Sequence, residues 1–104
     1  MILLTDVLED INGAFPIFSY GERHVDEFLE KNYSSEEGGV NRLWEIFDRL
    51  FGNVLEFLRG RFPALGERER AACCELQMSQ LREKITRIER RYECYRSILA
   101  LHAA

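Results

Sequence analysis

From Ala71 onward, apolar residues recur at alternating three- and four-residue intervals: Ala71, Cys74, Met78, Leu81, Ile85, Ile88, Tyr92, Tyr95 and Leu99, with His102 closing the series. The interval averages 3.5 residues, a period kept only where a helix lies against another helix along its length. It predicts a heptad-patterned segment over residues 67–103, with a final helix over about 67–102. At 1.5 Å per residue that helix is roughly 50 Å long. Upstream, Val40, Trp44, Phe47, Phe51, Val54 and Leu58 follow the same spacing, flanked by Leu43, Ile46, Leu50, Leu55 and Phe57. This stripe is wider than a simple seam and implies contact with more than one neighbour.

The upstream helix is expected over about 36–60, within a segment spanning 34–62. Ser34-Ser35-Glu36-Glu37 resembles a capping box, while Gly38-Gly39 weakens the first turn and moves the start toward Val40. Phe62-Pro63 and Gly66 supply the stop. Residues 1–33 read as a cap of two short helices. In the first, Leu3, Leu4, Val7, Leu8 and Ile11 form an amphipathic run with Thr5 or Asp6 as its capping residue, and Asn12-Gly13 ends it. The second covers Glu22 to Asn32, with Val25, Phe28 and Leu29 opposite Asp26, Glu27 and Glu30. Between them, Ala14 to Gly21 is apolar and broken by Pro16, so a buried loop or short extended piece is expected. The fold expected is therefore all-α: one domain, 1–104, a helical bundle built on a long antiparallel hairpin with two short N-terminal helices.

An antiparallel hairpin across Arg61 to Gly66 pairs Leu58 with Ala71, Val54 with Cys74, Phe51 with Met78, Phe47 with Leu81, Trp44 with Ile85 and Val40 with Ile88. Tyr92, Tyr95, Leu99 and His102 are left over. Either the N-terminal segment, with Val25, Phe28, Leu29 and its aromatic loop, covers this overhang, or a second chain does. The seam is small at its start and bulky at its end, which suits antiparallel self-pairing with Ile85 facing Ile88 of a partner. Glu75, Arg82, Glu89 and Arg96 then oppose charges of the other sign, although Arg87 approaches its own copy. A homodimer through the final helix is one expectation.

Composition is that of an ordinary folded domain, 46% hydrophobic and 31% charged. Residues 1–56 carry 12 acids and 4 bases (−8), and residues 57–104 carry 6 acids and 10 bases (+4), giving the net −4. Acidic N-terminal helices folding back on a basic final helix would satisfy this, as would a basic helix left for an acidic partner. The three cysteines include adjacent Cys73 and Cys74, which suits free thiols in a reducing compartment, and a cytoplasmic location is expected. Met1 to Leu8 has an apolar run but no basic region and carries Asp6, so neither a signal nor a membrane anchor is expected.

Candidate chemistry is sparse. His24 and His102 read as structural or solvated, and Cys73, Cys74 and Cys94 lack the spacing of a metal site. No glycine-rich loop offers a phosphate cradle, so no metal and no cofactor are expected. On the basic side of the final helix, Arg82, Lys84, Arg87, Arg90, Arg91 and Arg96 could touch phosphates in a nucleic-acid-associated regulator. The interleaved Glu83, Glu89 and Glu93 and a pI near 5.2 argue against that use.

Arg96-Ser97-Ile98-Leu99-Ala100-Leu101-His102 resembles the arginine, polar residue, spacer and histidine pattern of the HEPN family of all-helical, usually dimeric ribonucleases. The resemblance implies an arginine that stabilises phosphate charge and a histidine that moves a proton during RNA cleavage. The reading favoured by the whole pattern is instead a non-enzymatic protein–protein interaction module, of adaptor, inhibitor or co-chaperone type. Its partner-binding residues are expected to be Tyr92, Tyr95 and Leu99 as apolar anchors, with Arg91 and Arg96 at the rim and Arg87 beside them. Alternatively, the acidic cluster Asp26, Glu27, Glu30, Glu36 and Glu37 could occupy a basic groove on a partner.

Overall fold

The computed structural model describes residues 1–33 and 39–103, the side chain of Ala103 excepted. The chain is all-α: α1 spans Leu4–Ala14, α2 Glu22–Asn32, α3 Val40–Arg61 and α4 Glu67–Ala103, with a 3₁₀ turn at Pro16–Ser19. Among the described residues there is no strand. The body measures 61 Å along its long axis and 25 by 20 Å across it.

The antiparallel hairpin of α3 and α4 is the most extensive packing between any two elements. Leu43, Phe47, Val54 and Leu58 of α3 are buried against Cys74, Met78, Leu81 and Ile85 of α4. The register is close to the expected one. Cys74 Sγ lies 3.6 Å from the Phe51 carbonyl oxygen, and the Arg82 guanidinium sits 4.7 Å from the centroid of the Phe47 ring. Higher up, the Trp44 indole donates to Glu89.

Between α3 and α4, Arg70 fixes the turn from inside. Its side chain donates to the carbonyl of Phe62 at 3.0 Å and to that of Leu65, and it pairs with Glu67 at 2.9 Å. These carbonyls belong to the end of α3 and the connecting loop: that of Phe62 also accepts the Leu65 backbone N–H at 3.1 Å, and Arg70 adds a second donor to it and serves the Leu65 carbonyl. Arg59 reaches the same Glu67 across the turn at 3.2 Å. The two guanidiniums, Arg59 first and Arg70 second, hold the Glu67 carboxyl below its ordinary range.

The N-terminal helices pack on this hairpin at different levels. Val7 and Ile11 of α1 are buried, Asp10 pairs with Arg61 at 3.0 Å and Asn12 bonds Gln77, which fixes α1 near the turn end. Helix α2 buries Leu29 and runs in the direction of α4: Glu22 and Asp26 flank Lys84, and Tyr33 lies beside Tyr92. Gly39, immediately before α3, has φ of 52°, the left-handed region that favours glycine. A Cβ there would sit 3.3 Å from the Tyr33 ring, so the same glycine lets Tyr33 close on the bundle end.

Several local expectations are corrected. Helix α1 starts at Leu4 with Leu3 as its N-cap, so Thr5 and Asp6 lie inside the first turn, and it runs through Asn12-Gly13 to Ala14. Ile11 is completely buried, and its packing offsets the roughly 1 kcal/mol by which glycine weakens a helix. The segment 14–21 forms a 3₁₀ turn with Pro16 at its first position, and none of its residues is fully buried. Phe15 packs edge-on against Phe57, with ring centroids 5.7 Å apart, near the turn end of the hairpin, so of the two covers open to the overhang the aromatic loop does not supply one. The capping box at Ser34 to Glu37 lies outside the described residues; α3 itself begins at Val40.

Candidate functional site

The heptad seam of α4 meets two environments. Cys74, Met78, Leu81 and Ile85 are covered by the chain itself, so self-pairing with Ile85 facing a partner's Ile88 is not open to it. The cover thins at Ile88, which is half-buried. Tyr92 packs edge-on against Tyr33, with ring centroids 6.2 Å apart. Beyond it the helix has no neighbouring element among the described residues: Tyr95 is 60% exposed, Ile98 46%, Leu99 50% and Leu101 78%. His102 is exposed as well.

A shallow apolar cleft marks where the projecting end leaves the bundle, lined by Tyr33, Ile88, Arg91, Tyr92 and Tyr95. Tyr92, Tyr95 and Leu99 thus share one face, as their spacing required. Arg91 lies on one side of that face and Arg96 on the other. Arg96 folds back over Tyr92, its guanidinium 5.9 Å from the ring centroid, within range of a cation–π contact.

The remaining basic residues of α4 are mostly spent within the chain. Arg82 bonds Glu75 at 3.0 Å, Arg87 bonds Glu83 at 2.8 Å, and Lys84 bonds Asp26 at 2.7 Å and Glu22 at 3.4 Å. The hydrogen bond to Asp26 raises the pKa of the Lys84 ammonium, against the smaller opposing effect of its burial. Arg87 therefore sits on the body, at the junction of α2 and α4, and not on the projecting end. Among the described residues, no ion pair involves Arg90, Arg91 or Arg96. Of the acidic cluster, Asp26 serves Lys84 and Glu27 pairs with Arg23, while Glu36 and Glu37 lie outside the described residues.

Arg96 and His102 do not face one site. Six residues along an α-helix place two side chains about 120° apart and roughly 9 Å along the axis. The shallow depression beside Arg96 is lined by Glu93, Ser97 and Ala100, without His102. His24 lies against Tyr20, with ring centroids 6.1 Å apart. Cys73 and Cys74 are buried, and burial pushes the Cys74 thiol up to about 12, far from a reactive thiolate. Among the described residues, no three His, Cys, Asp or Glu side chains converge as a metal site would require, and no helix is long and apolar enough to cross a membrane.

Sequence reasoning overlooked three participants. Ile98 and Leu101 lie off the seam, and their exposure follows from the absence of a neighbouring helix at that level among the described residues. Tyr33 precedes the acidic, glycine-rich connection, and nothing in its spacing tied it to Tyr92. A second apolar groove, lined by Phe15, Tyr20, Phe28, Ile46 and Leu50, lies between the 3₁₀ turn, α2 and α3, with Arg49 and Asn53 also lining it. The aromatic N-terminal segment therefore offers its own surface, separate from the end of α4.

The architecture defines the chain as an all-α protein built on a helical hairpin with one overlong arm. Comparison with protein-family models, with curated proteins and with solved structures finds no match to it.

Proposed function

We propose that this chain is a non-enzymatic helix–helix contact module, and that the projecting end of α4 is the surface it presents to another protein. The observation that supports this reading is the continuation of an apolar seam from Tyr92 through Tyr95 and Leu99, past Tyr33, the last of the described residues to cover it. A contiguous exposed apolar stripe with a polar rim is the composition of an interface core. Arg91 and Arg96 supply that rim.

A photo-reactive residue placed at position 99, in the cells that make the protein, tests the reading. Discrete adducts that disappear when Tyr95→Asp is introduced are the expected result, with the variant retaining its helical circular dichroism and melting temperature. A probe that yields no adduct from a folded chain overturns the proposal. An adduct at twice the mass of the chain identifies a second copy as the partner.

A further inference from the structure

Resting on that reading, we infer that the partner is an acidic amphipathic helix, which lays its apolar stripe on Tyr92, Tyr95 and Leu99 and its carboxylates on Arg91 and Arg96. Charge complementarity decides this against a second copy. In heptad terms, Tyr92 and Leu99 occupy the a positions and Tyr95 a d position, so Arg91 falls at g and Arg96 at e, one on each flank of the stripe. Neither has an ion-pair partner among the described residues.

Two copies meeting through this face lose either charge balance or space. In a parallel pair, g of one helix faces the following e of the other, which sets Arg91 against the second copy's Arg96, twice. In an antiparallel pair e faces e. The register that lets the projecting ends overlap fully, Tyr95 opposite Leu99, brings Arg96 against its own copy. Sliding one heptad along α4 would oppose Glu89 to Arg96, but Glu89 already accepts the Trp44 indole. That register also drives the partner's tip into the bundle end, where Tyr33 packs on Tyr92. Each self-paired arrangement therefore loses either charge balance or space.

A helix bearing glutamates at both of its own flanking positions meets Arg91 and Arg96 in either orientation. The local balance agrees: from Arg87 to His102 the helix carries four arginines and two glutamates. About three turns of helix are available, short of the roughly 800 Å² per partner of a standard interface. A contact of that size relies on complementary flanks for its selectivity.

The probes are two synthetic 21-residue peptides with leucine at the a and d positions, one carrying glutamate and the other lysine at every e and g position. Fluorescence anisotropy against the full chain at low salt is expected to show the glutamate peptide binding at least tenfold tighter. Raising the salt to 0.5 M should weaken that binding, the Arg91→Glu/Arg96→Glu variant should reverse the preference, and Leu99→Asp should abolish it. Equal binding of both peptides, or of neither, overturns the acidic-partner assignment. So does a stable dimer of the full chain in sedimentation. Adducts at position 99 alongside equal peptide binding would leave the contact reading standing and remove only the partner's chemistry; no adducts and no peptide binding would remove both.

Discussion

Ile85 and Leu99 occupy equivalent places in one heptad series, two repeats apart, and the structure assigns them opposite roles. Ile85 is 1% exposed beneath α3, whereas Leu99 is 50% exposed on the projecting end. Replacing Ile85 by alanine removes three buried carbon atoms and leaves a cavity, a change that costs about 3 kcal/mol, of which a few tenths return through alanine's better helix propensity. Replacing Leu99 removes atoms that touch mostly water and should cost less than about 0.5 kcal/mol. In urea, where stability changes by about 1–3 kcal/mol per molar, Ile85→Ala should lower the midpoint by roughly 1 M or more, and Leu99→Ala should leave it nearly unmoved. Equal shifts for the two variants would show the end of α4 buried in solution, and the two-environment account of the seam would fall.

The buried Arg70 should be costly to lose: Arg70→Met strands the Leu65 carbonyl, takes one of two donors from that of Phe62 and should destabilise by roughly 2 kcal/mol in the same assay, while a change under about 0.5 kcal/mol would deny it the turn. Gly39→Ala forces a side chain into the left-handed region and against Tyr33, so it should lower the melting temperature by several degrees; an unchanged melt would mean that Tyr33 is not held there. Among the three thiols, exposed Cys94 should react quickly with a thiol reagent, with Cys73 and Cys74 reacting only on unfolding; three fast thiols would contradict the packing of α4. The Cys74 thiol also gives an alkaline signature. Its ionisation is pushed from an ordinary 9.0 to about 12, so the unfolded chain releases that proton first and stability falls as pH rises between those values. Cys74→Ala should flatten that slope, and an unaltered slope in the variant would assign it elsewhere.

The hairpin was legible in the sequence because its two stripes keep one period over many turns, and two helices with matching stripes have few ways to bury them together. The lengths of α3 and α4 were legible from the glycine and proline punctuation around Val40 and Phe62. Short-range structure was less so. The start of α1 and its passage through Gly13 depend on Ile11 being drawn fully into the core, a tertiary effect that local propensity cannot express. The role of Arg70 was hidden for a related reason: one more arginine in Glu67-Arg68-Glu69-Arg70 carries no mark of burial, and its partners are backbone carbonyls, which have no residue identity. Tyr92, Tyr95 and Leu99 could be singled out by counting layers, but counting could not say that, among the described residues, Tyr92 alone finds a cover.

That partial cover follows from element length. Helix α3 has 22 residues and α4 has 37, so the hairpin leaves about 15 residues, or some 22 Å of helix, without an antiparallel neighbour. Helix α2 could fill the gap only by extending past Tyr33, and it has 11 residues, beginning beside Lys84 and ending beside Tyr92. A projecting helix needs no apolar face for its own sake. Its helicity comes from propensity and from continuity with the anchored turns below, and glutamate, lysine or glutamine would serve as well there while avoiding exposed hydrocarbon. Tyr95, Ile98 and Leu99 impose a solubility cost that no packing among the described residues offsets, and their burial against another helix is the compensation the proposed contact supplies. The arginines on either flank carry the argument from apolar contact to selectivity: a hydrophobic stripe alone would accept a second copy, and with Arg91 and Arg96 in place each accessible pairing of two such stripes meets its own charge.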